Sequence, residues 1–197
     1  MDPIKIKVII GSTRPGRFSE KPARWIFEEA KKVEGVEAEL LDLRDYPLPF
    51  FDEALPPSMT KEPYANPVVQ QWTAKIADGD AFIVLTPEYN HGPSAVLKNA
   101  IDYVGKEWNK KPVGYVSWGS VSGARVVEML RLTAVELQMA PIRQALYLPG
   151  TVYMAVKDVP TEAIKPEMFE AVAPAQAAFF AQLMWWARAL KTARSAG

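Results

Sequence analysis

Residues 4–19 read IKIKVIIGSTRPGRFS. Ile4 to Ile10 has the character of a strand that turns wholly apolar at Val8 and breaks at Gly11. A short loop of Ser, Thr, Arg, Pro, Gly and Arg leads into a helix start. The first N–H groups of a helix have no partner within it, and they carry the positive end of its dipole, so such a loop suits an anion. Gly11 and Gly16 let the backbone turn and approach a ligand. Arg14 and Arg17 offer forked cationic donors, and Ser12, Thr13 and Ser19 offer hydroxyls.

The spacing from Gly11 to Gly16 is that of G-x-x-x-x-G-K-[ST], but Arg17 and Phe18 occupy the next two positions. Phe18 cannot ligate magnesium, so a nucleoside-triphosphatase loses its metal site. The dinucleotide fingerprint G-x-G-x-x-G is missing as well. What remains is a loop for one terminal phosphate with no metal implied. Taken alone, the same residues also suit an ordinary βα turn with surface arginines.

The 197 residues are enough for one domain with a sizeable core, and residues 1–197 are read as a single domain. Lys plus Arg and Asp plus Glu number 23 each, which gives no electrostatic reason to expect nucleic acid or an anionic membrane as partner. With no cysteine, thiol catalysis, cysteine metal sites and disulfides are excluded. His91 is the only histidine, so a multi-histidine metal site within one chain is excluded too. A serine triad would have to use His91, and no G-x-S-x-G elbow exists. The N-terminal run MDPIKIKVII lacks the pattern of a signal peptide, and no stretch of about 18 uninterrupted apolar residues exists. The expectation is a soluble cytoplasmic protein.

Strands and helices alternate along the chain. Ser19 can cap a first helix whose apolar positions are Ala23, Ile26, Ala30 and Val33, ending near Gly35. Val36 to Leu43 alternates with glutamates like a half-exposed edge strand. Arg44 to Pro67 holds six prolines and several aromatics, which rules out regular helix or sheet. It suits either a functional or interface loop or a surface connection pinned by its aromatics. A helix from Asn66 or Pro67 to Ala77 follows, then the buried strand Ala81 to Thr86. Next come a helix carrying Leu97, Ala100, Ile101 and Val104, a strand from Lys111 to Trp118, and a helix from Ala124 to Met139 stopped by Pro141. Ile142 to Leu148 suits a fifth strand, and an extra C-terminal helix spans about Lys165 to Thr192 with a kink at Pro174. This alternation predicts an α/β doubly wound parallel five-stranded sheet in the order 2-1-3-4-5. A ligand crevice then lies beyond the carboxyl ends of the first and third strands, where loops 11–19, 87–92 and 117–123 meet.

Together KVIIGSTRPGRFS, TPEYNHGPSAVLKNAIDYV and VSWGSVSGAR resemble the NADPH-dependent FMN reductase family, flavodoxin-like quinone and azo-dye reductases. The resemblance covers residues 4 to 150, and the PEYN loop followed by LKNAID is its most specific part. It implies one FMN per chain, with NADPH or NADH as co-substrate and a small-molecule electron acceptor such as a quinone, an azo compound or free flavin. It places the FMN phosphate on Ser12, Arg14, Ser19 and N–H groups near Arg17 and Phe18. It lines the isoalloxazine with Pro87, Glu88, Tyr89 and Asn90, largely by main chain, and with Ser117, Trp118 and Gly119 on the other side. Glu20 stands where the family commonly has Asn, and Trp118 where it usually has a smaller or polar residue. The resemblance also implies a homodimer or homotetramer with the flavin near a subunit boundary. No side chain is obliged to act as acid or base, so no catalytic residue is named. His91 could serve the flavin edge or simply hold its loop, and Arg125 is a candidate ion-pair partner for Glu88.

Two other classes fit parts of the pattern. A flavodoxin-like electron carrier would lack nicotinamide activity, and the neutral charge balance argues against the acidic docking surface such carriers use. A flavin-free binding module would use the loop for another phosphate ester.

Overall fold

The computed structural model describes residues 2–60 and 64–196. Its strands are β1 (Ile4–Ile10), β2 (Val36–Asp42), β3 (Ala81–Pro87), β4 (Pro112–Trp118) and β5 (Ala140–Leu148). Its α-helices are α1 (Glu20–Lys31), α2 (Pro67–Asp78), α3 (Ala95–Asp102), α4 (Ala124–Glu136), α5 (Gly150–Val156) and α6 (Ala173–Ser195). The strands pair in parallel in the order β2-β1-β3-β4-β5, as the alternation predicts. Every residue of β3 and β4 is buried, whereas β2 is half exposed, as befits an edge.

Helices cover both faces. Ala23, Trp25 and Ile26 of α1 share one core with Phe179, Leu183 and Ala187 of α6 and with Ile6, Val8 and Ile10 of β1. Trp72 of α2, Leu97 of α3 and Val127 of α4 share the other with Ile9 and Phe82. Lys7 breaks the apolar run of β1 and is itself buried, but its ammonium donates to Glu39 at 2.5 Å and Asp78 at 2.6 Å. Trp25, outside the helical stripe read from sequence, stacks on Phe169 at a centroid distance of 4.4 Å.

The proline-rich segment is irregular but for a short 3₁₀ turn at Pro57–Met59; Pro63 lies outside the described residues. Its aromatics hold it down. Tyr46 packs on Trp72 and Phe51 on Tyr103. The Asn99 side chain accepts from Phe51 N–H at 2.9 Å and donates to Pro49 O at 2.7 Å.

Three expectations need correction. Ser19 occupies the N-cap position of α1, but its hydroxyl makes no capping bond. The helix expected from Ala124 to Met139 stops at Glu136, because Gln138 turns left-handed (φ 54°) and β5 starts at Ala140. Pro141 therefore sits inside an edge strand, where a missing N–H is tolerated. The last helix starts at Ala173, since Pro174 falls in its first turn and begins the helix instead of kinking it. Residues 150–156 form α5 ahead of it.

β5 also carries a bulge. Val113 pairs with Pro141 and Tyr115 with Ala145, so β5 takes four residue steps where β4 takes two. Side chains take up backbone groups of the bulge. Arg131 donates to the Arg143 carbonyl at 2.6 Å, and Gln144 N–H donates to Gln182 Oε1 at 2.8 Å.

Candidate functional site

β1, β3 and β4 end side by side, with Ile10 beside Leu85 and Pro87 beside Trp118, so their following loops open at one edge. Gly11 N–H donates to Leu85 O at 2.8 Å. A Cβ at Gly11 would lie 2.6 Å from that same carbonyl, which explains the glycine. Gly16 takes the left-handed conformation (φ +63°), and Arg17 N–H closes a turn onto Arg14 O.

The two loop arginines divide. The Arg17 side chain is buried and donates to the Ser12 carbonyl, to Asp42 and to Glu20. Its guanidinium is thus a brace beneath the loop, which corrects its expected service to phosphate; the backbone around it is untouched by this. Burial pushes the Asp42 carboxyl up, but hydrogen bonds and charge from Arg17 outweigh it and hold the group below its ordinary value. Glu20 accepts from Arg17 at 2.9 Å and from Arg44 at 2.7 Å, so the residue that departs from the family pattern belongs to the same brace. Arg44 also donates to Arg14 O at 2.7 Å. Arg14 stays exposed, with no carboxylate partner among the described residues, and its guanidinium lies 5.9 Å from the Tyr89 ring centre. Ser12 Oγ is 3.4 Å from the Tyr89 hydroxyl. Ser19 is fully buried, and its hydroxyl has no hydrogen-bond partner among the described residues.

The third loop folds back on itself. Tyr89 and Gly92 exchange N–H···O bonds of 2.9 and 3.0 Å around Asn90 (φ 50°) and His91 (φ 70°). Two consecutive left-handed residues make this a type I′ turn, which asparagine tolerates well. Ser94 caps α3 and donates to Gly11 O at 2.5 Å, tying the third loop to the first. Glu88 N–H donates to Trp118 O at 2.8 Å. Its carboxylate turns to Arg125, the partner anticipated for it. Ser117 donates to Ser122 O at 3.1 Å and shapes the fourth loop.

These loops enclose a cavity of about 200 Å³. Ten of the twelve residues expected to bind the cofactor line it, and the exceptions are Asn90 and Ser117. His91 is exposed in its turn and lies outside the lining as well. Phe18 meets the Trp118 ring edge-on at 5.4 Å. Tyr153 of α5 joins the lining, and no local pattern in the sequence marks it. Larger cavities of about 360 and 750 Å³ touch Ala77 and Gly105, and Ile4 and Gly35, respectively, and lie toward the amino ends of the strands, opposite the edge where this fold binds ligands. A third, of about 290 Å³, lies on the same edge as the site, between Thr13, Arg44 and the start of α3. Among the described residues no group of three or more acidic or histidine side chains could hold a metal.

The site fits a phosphate monoester: a buried hydroxyl and an arginine side chain, both without hydrogen-bond partners among the described residues, converge with a helix start and a left-handed glycine. Residues 4–152 match the family model described as NADPH-dependent FMN reductase. The chain belongs to that family. Among its relatives, an NAD(P)H-dependent FMN reductase of Schizosaccharomyces pombe is 39% identical over 147 residues, 74% of each chain. An NAD(P)H:quinone oxidoreductase of Solanum tuberosum is 33% identical over 141 residues, 69% of this chain and 70% of that one. FerB, a flavoenzyme NAD(P)H:(acceptor) oxidoreductase from Paracoccus denitrificans, superposes with a TM-score of 0.71 at 19% identity, over 94% of this chain and 98% of FerB. That superposition supports the flavodoxin-like fold.

Proposed function

We infer that this chain is an FMN-dependent NAD(P)H oxidoreductase acting on quinone-type acceptors. The single observation that carries the cofactor assignment is the partnerless Ser19 hydroxyl, buried at the start of α1 beside Arg14. Ser12, Ser19, Arg14 and the first N–H groups of α1 hold the phosphate in this reading. The backbone of residues 87–89 and 118–119 receives the ring system, with Asn90 holding the turn behind it. Bound FMN supplies the hydride chemistry between NADPH or NADH and the acceptor. The protein's part is to fix the two walls, and Glu88 does so by joining the third loop to α4. No side chain is assigned as acid or base.

The 197 residues act as one domain with an added C-terminal helix, in the cytoplasm, and assemble as a homodimer or homotetramer. Support for self-association comes from α4, where Met129, Leu132 and Val135 expose an apolar ridge next to the Gly92 turn. Among the described residues no helix is long and apolar enough to cross a membrane.

An anaerobic visible spectrum of the purified protein with FMN, before and after NADPH, tests the reading. Bound yellow flavin that bleaches within the mixing time is expected. Bound flavin that stays oxidised with both NADPH and NADH would leave an electron carrier. A colourless protein that takes up no FMN would remove the proposed function.

A further inference from the structure

Three aromatic rings from three separate parts of the chain meet at the cavity. Phe18 comes from the first loop, Trp118 from the end of β4 and Tyr153 from α5. The Tyr153 ring centre lies 5.0 Å from that of Phe18, tilted by 48°. Tyr153 falls one residue beyond the span that matches the family, so this wall comes from the segment that follows.

α5 cannot swing freely. Val152 and Val156 on its inner side are buried in the core beneath. Its far end is moored by Lys21 in the first turn of α1, whose ammonium donates to the Val156 carbonyl at 2.9 Å and to that of Lys157. A lysine on the last carbonyls of a helix satisfies groups that otherwise lack partners. The helix carrying Tyr153 is thus tethered to the helix that starts at the phosphate loop. No hydrogen bond among the described residues engages the Tyr153 hydroxyl, so packing alone sets the ring's place.

We propose that Tyr153 is a flavin-retaining residue, its ring walling the phosphate-loop side of the cavity and slowing the escape of FMN. The proposal rests on the FMN reading above. The ring is itself partly exposed, so it stands at the rim of the cavity between solvent and Phe18, where it would limit the access of water to bound phosphate and strengthen the inner contacts. It adds aromatic surface to the cavity lining.

The test is the dissociation rate of FMN from the loaded protein, followed by the return of flavin fluorescence after dilution, in four proteins. Tyr153→Ala should release FMN about tenfold faster than wild type, the factor that loss of one aromatic contact gives. Tyr153→Phe keeps the ring and should stay within twofold of wild type. Met154→Ala, on the exposed side of the same helix, should do the same. If Tyr153→Ala does not fold, Tyr153→Leu takes its place, with apo-protein melting as the check. Equal rates for wild type and the Ala or Leu variant would overturn the proposal. Equally fast release from the Phe variant would assign the effect to the hydroxyl and overturn the wall, and fast release from Met154→Ala would assign it to α5 at large. Wild-type protein that binds no FMN would overturn the underlying flavin reading instead.

Discussion

Glu88 caps a helix it does not belong to. Its carboxylate accepts the Arg125 N–H at 3.1 Å, at the start of α4, and the Arg125 side-chain Nε at 2.6 Å. The N-cap residue of α4 is Gly123, which has no side chain to offer. A residue of the third loop thus does for α4 what a serine or aspartate does for most helices.

Glu88→Ala should therefore lower stability by about 1–2 kcal/mol at pH 7, the usual loss for a helix cap. Burial pushes the Glu88 carboxyl up, but Arg125 outweighs it and the group titrates below its ordinary 4.5. A depressed carboxyl stabilises the fold above that value and loses its contribution as pH falls through its folded pKa. Urea melts at pH 7 and pH 3 should show the gap between wild type and Glu88→Ala shrinking in acid. An unchanged gap would mean that the charge is irrelevant.

Arg14 and Arg17 should behave as opposites. Arg17→Met strands Asp42 and Glu20 and should cost about 3 kcal/mol of folding stability, as breaking a buried pair does. Arg14→Ala should leave the melting temperature of the apo-protein unchanged and weaken FMN binding by about 1.5–3 kcal/mol, the worth of a charge-assisted contact. Calorimetry of the apo-proteins and FMN titration separate the two. Equal destabilisation in both variants would dismiss the division of labour.

Ser19→Ala removes a hydroxyl that has no partner in the fold. The apo-protein should be as stable as wild type or slightly more so, since burying an unmatched polar group is costly. FMN affinity should drop at the same time. A less stable apo-protein with unaltered FMN affinity would assign the hydroxyl to the scaffold.

Lys111 is buried, and its ammonium donates at 2.9 Å to both Ile76 O and Ala77 O at the end of α2. Burial, helped by the nearby charge of Arg194, lowers its pKa from 10.5 to about 8. The unfolded chain then binds the proton more tightly, so stability attributable to this lysine rises with pH from about 8 to 10.5. Lys111→Met should lose that rise, which amounts to about 3 kcal/mol at most. Denaturant melts at pH 7.5 and 10 would show it, and parallel pH profiles for both proteins would refute it.

The sheet order was legible because the buried runs Ala81–Leu85 and Val113–Trp118 and the helical stripes between them keep their periods undisturbed. The three site loops were legible because strand order alone brings their ends to one edge. The separation of Arg14 from Arg17 was not legible. It depends on Asp42, which stands 25 residues from Arg17 in sequence and reaches it because Ile10 pairs with Asp42 in the β1–β2 register. Tyr153 was hidden for the same kind of reason. Its place is set by Val152 and Val156 in the core and by the tether from Lys21, and nothing in TVYMAV itself signals a ligand. The start of α6 is not legible, because apolar residues run on through 165–172 and Pro174 can either kink a helix or open one.

The bulge in β5 bears on crowding. An edge strand with free N–H and C=O groups is a template onto which a neighbouring molecule can add, and repetition of that step makes a fibre. Here the Arg143 carbonyl is spent on Arg131 and the Gln144 N–H on Gln182, while Pro141 has no N–H to give. At this edge an incoming strand would meet a ladder broken at three points, which blunts addition here.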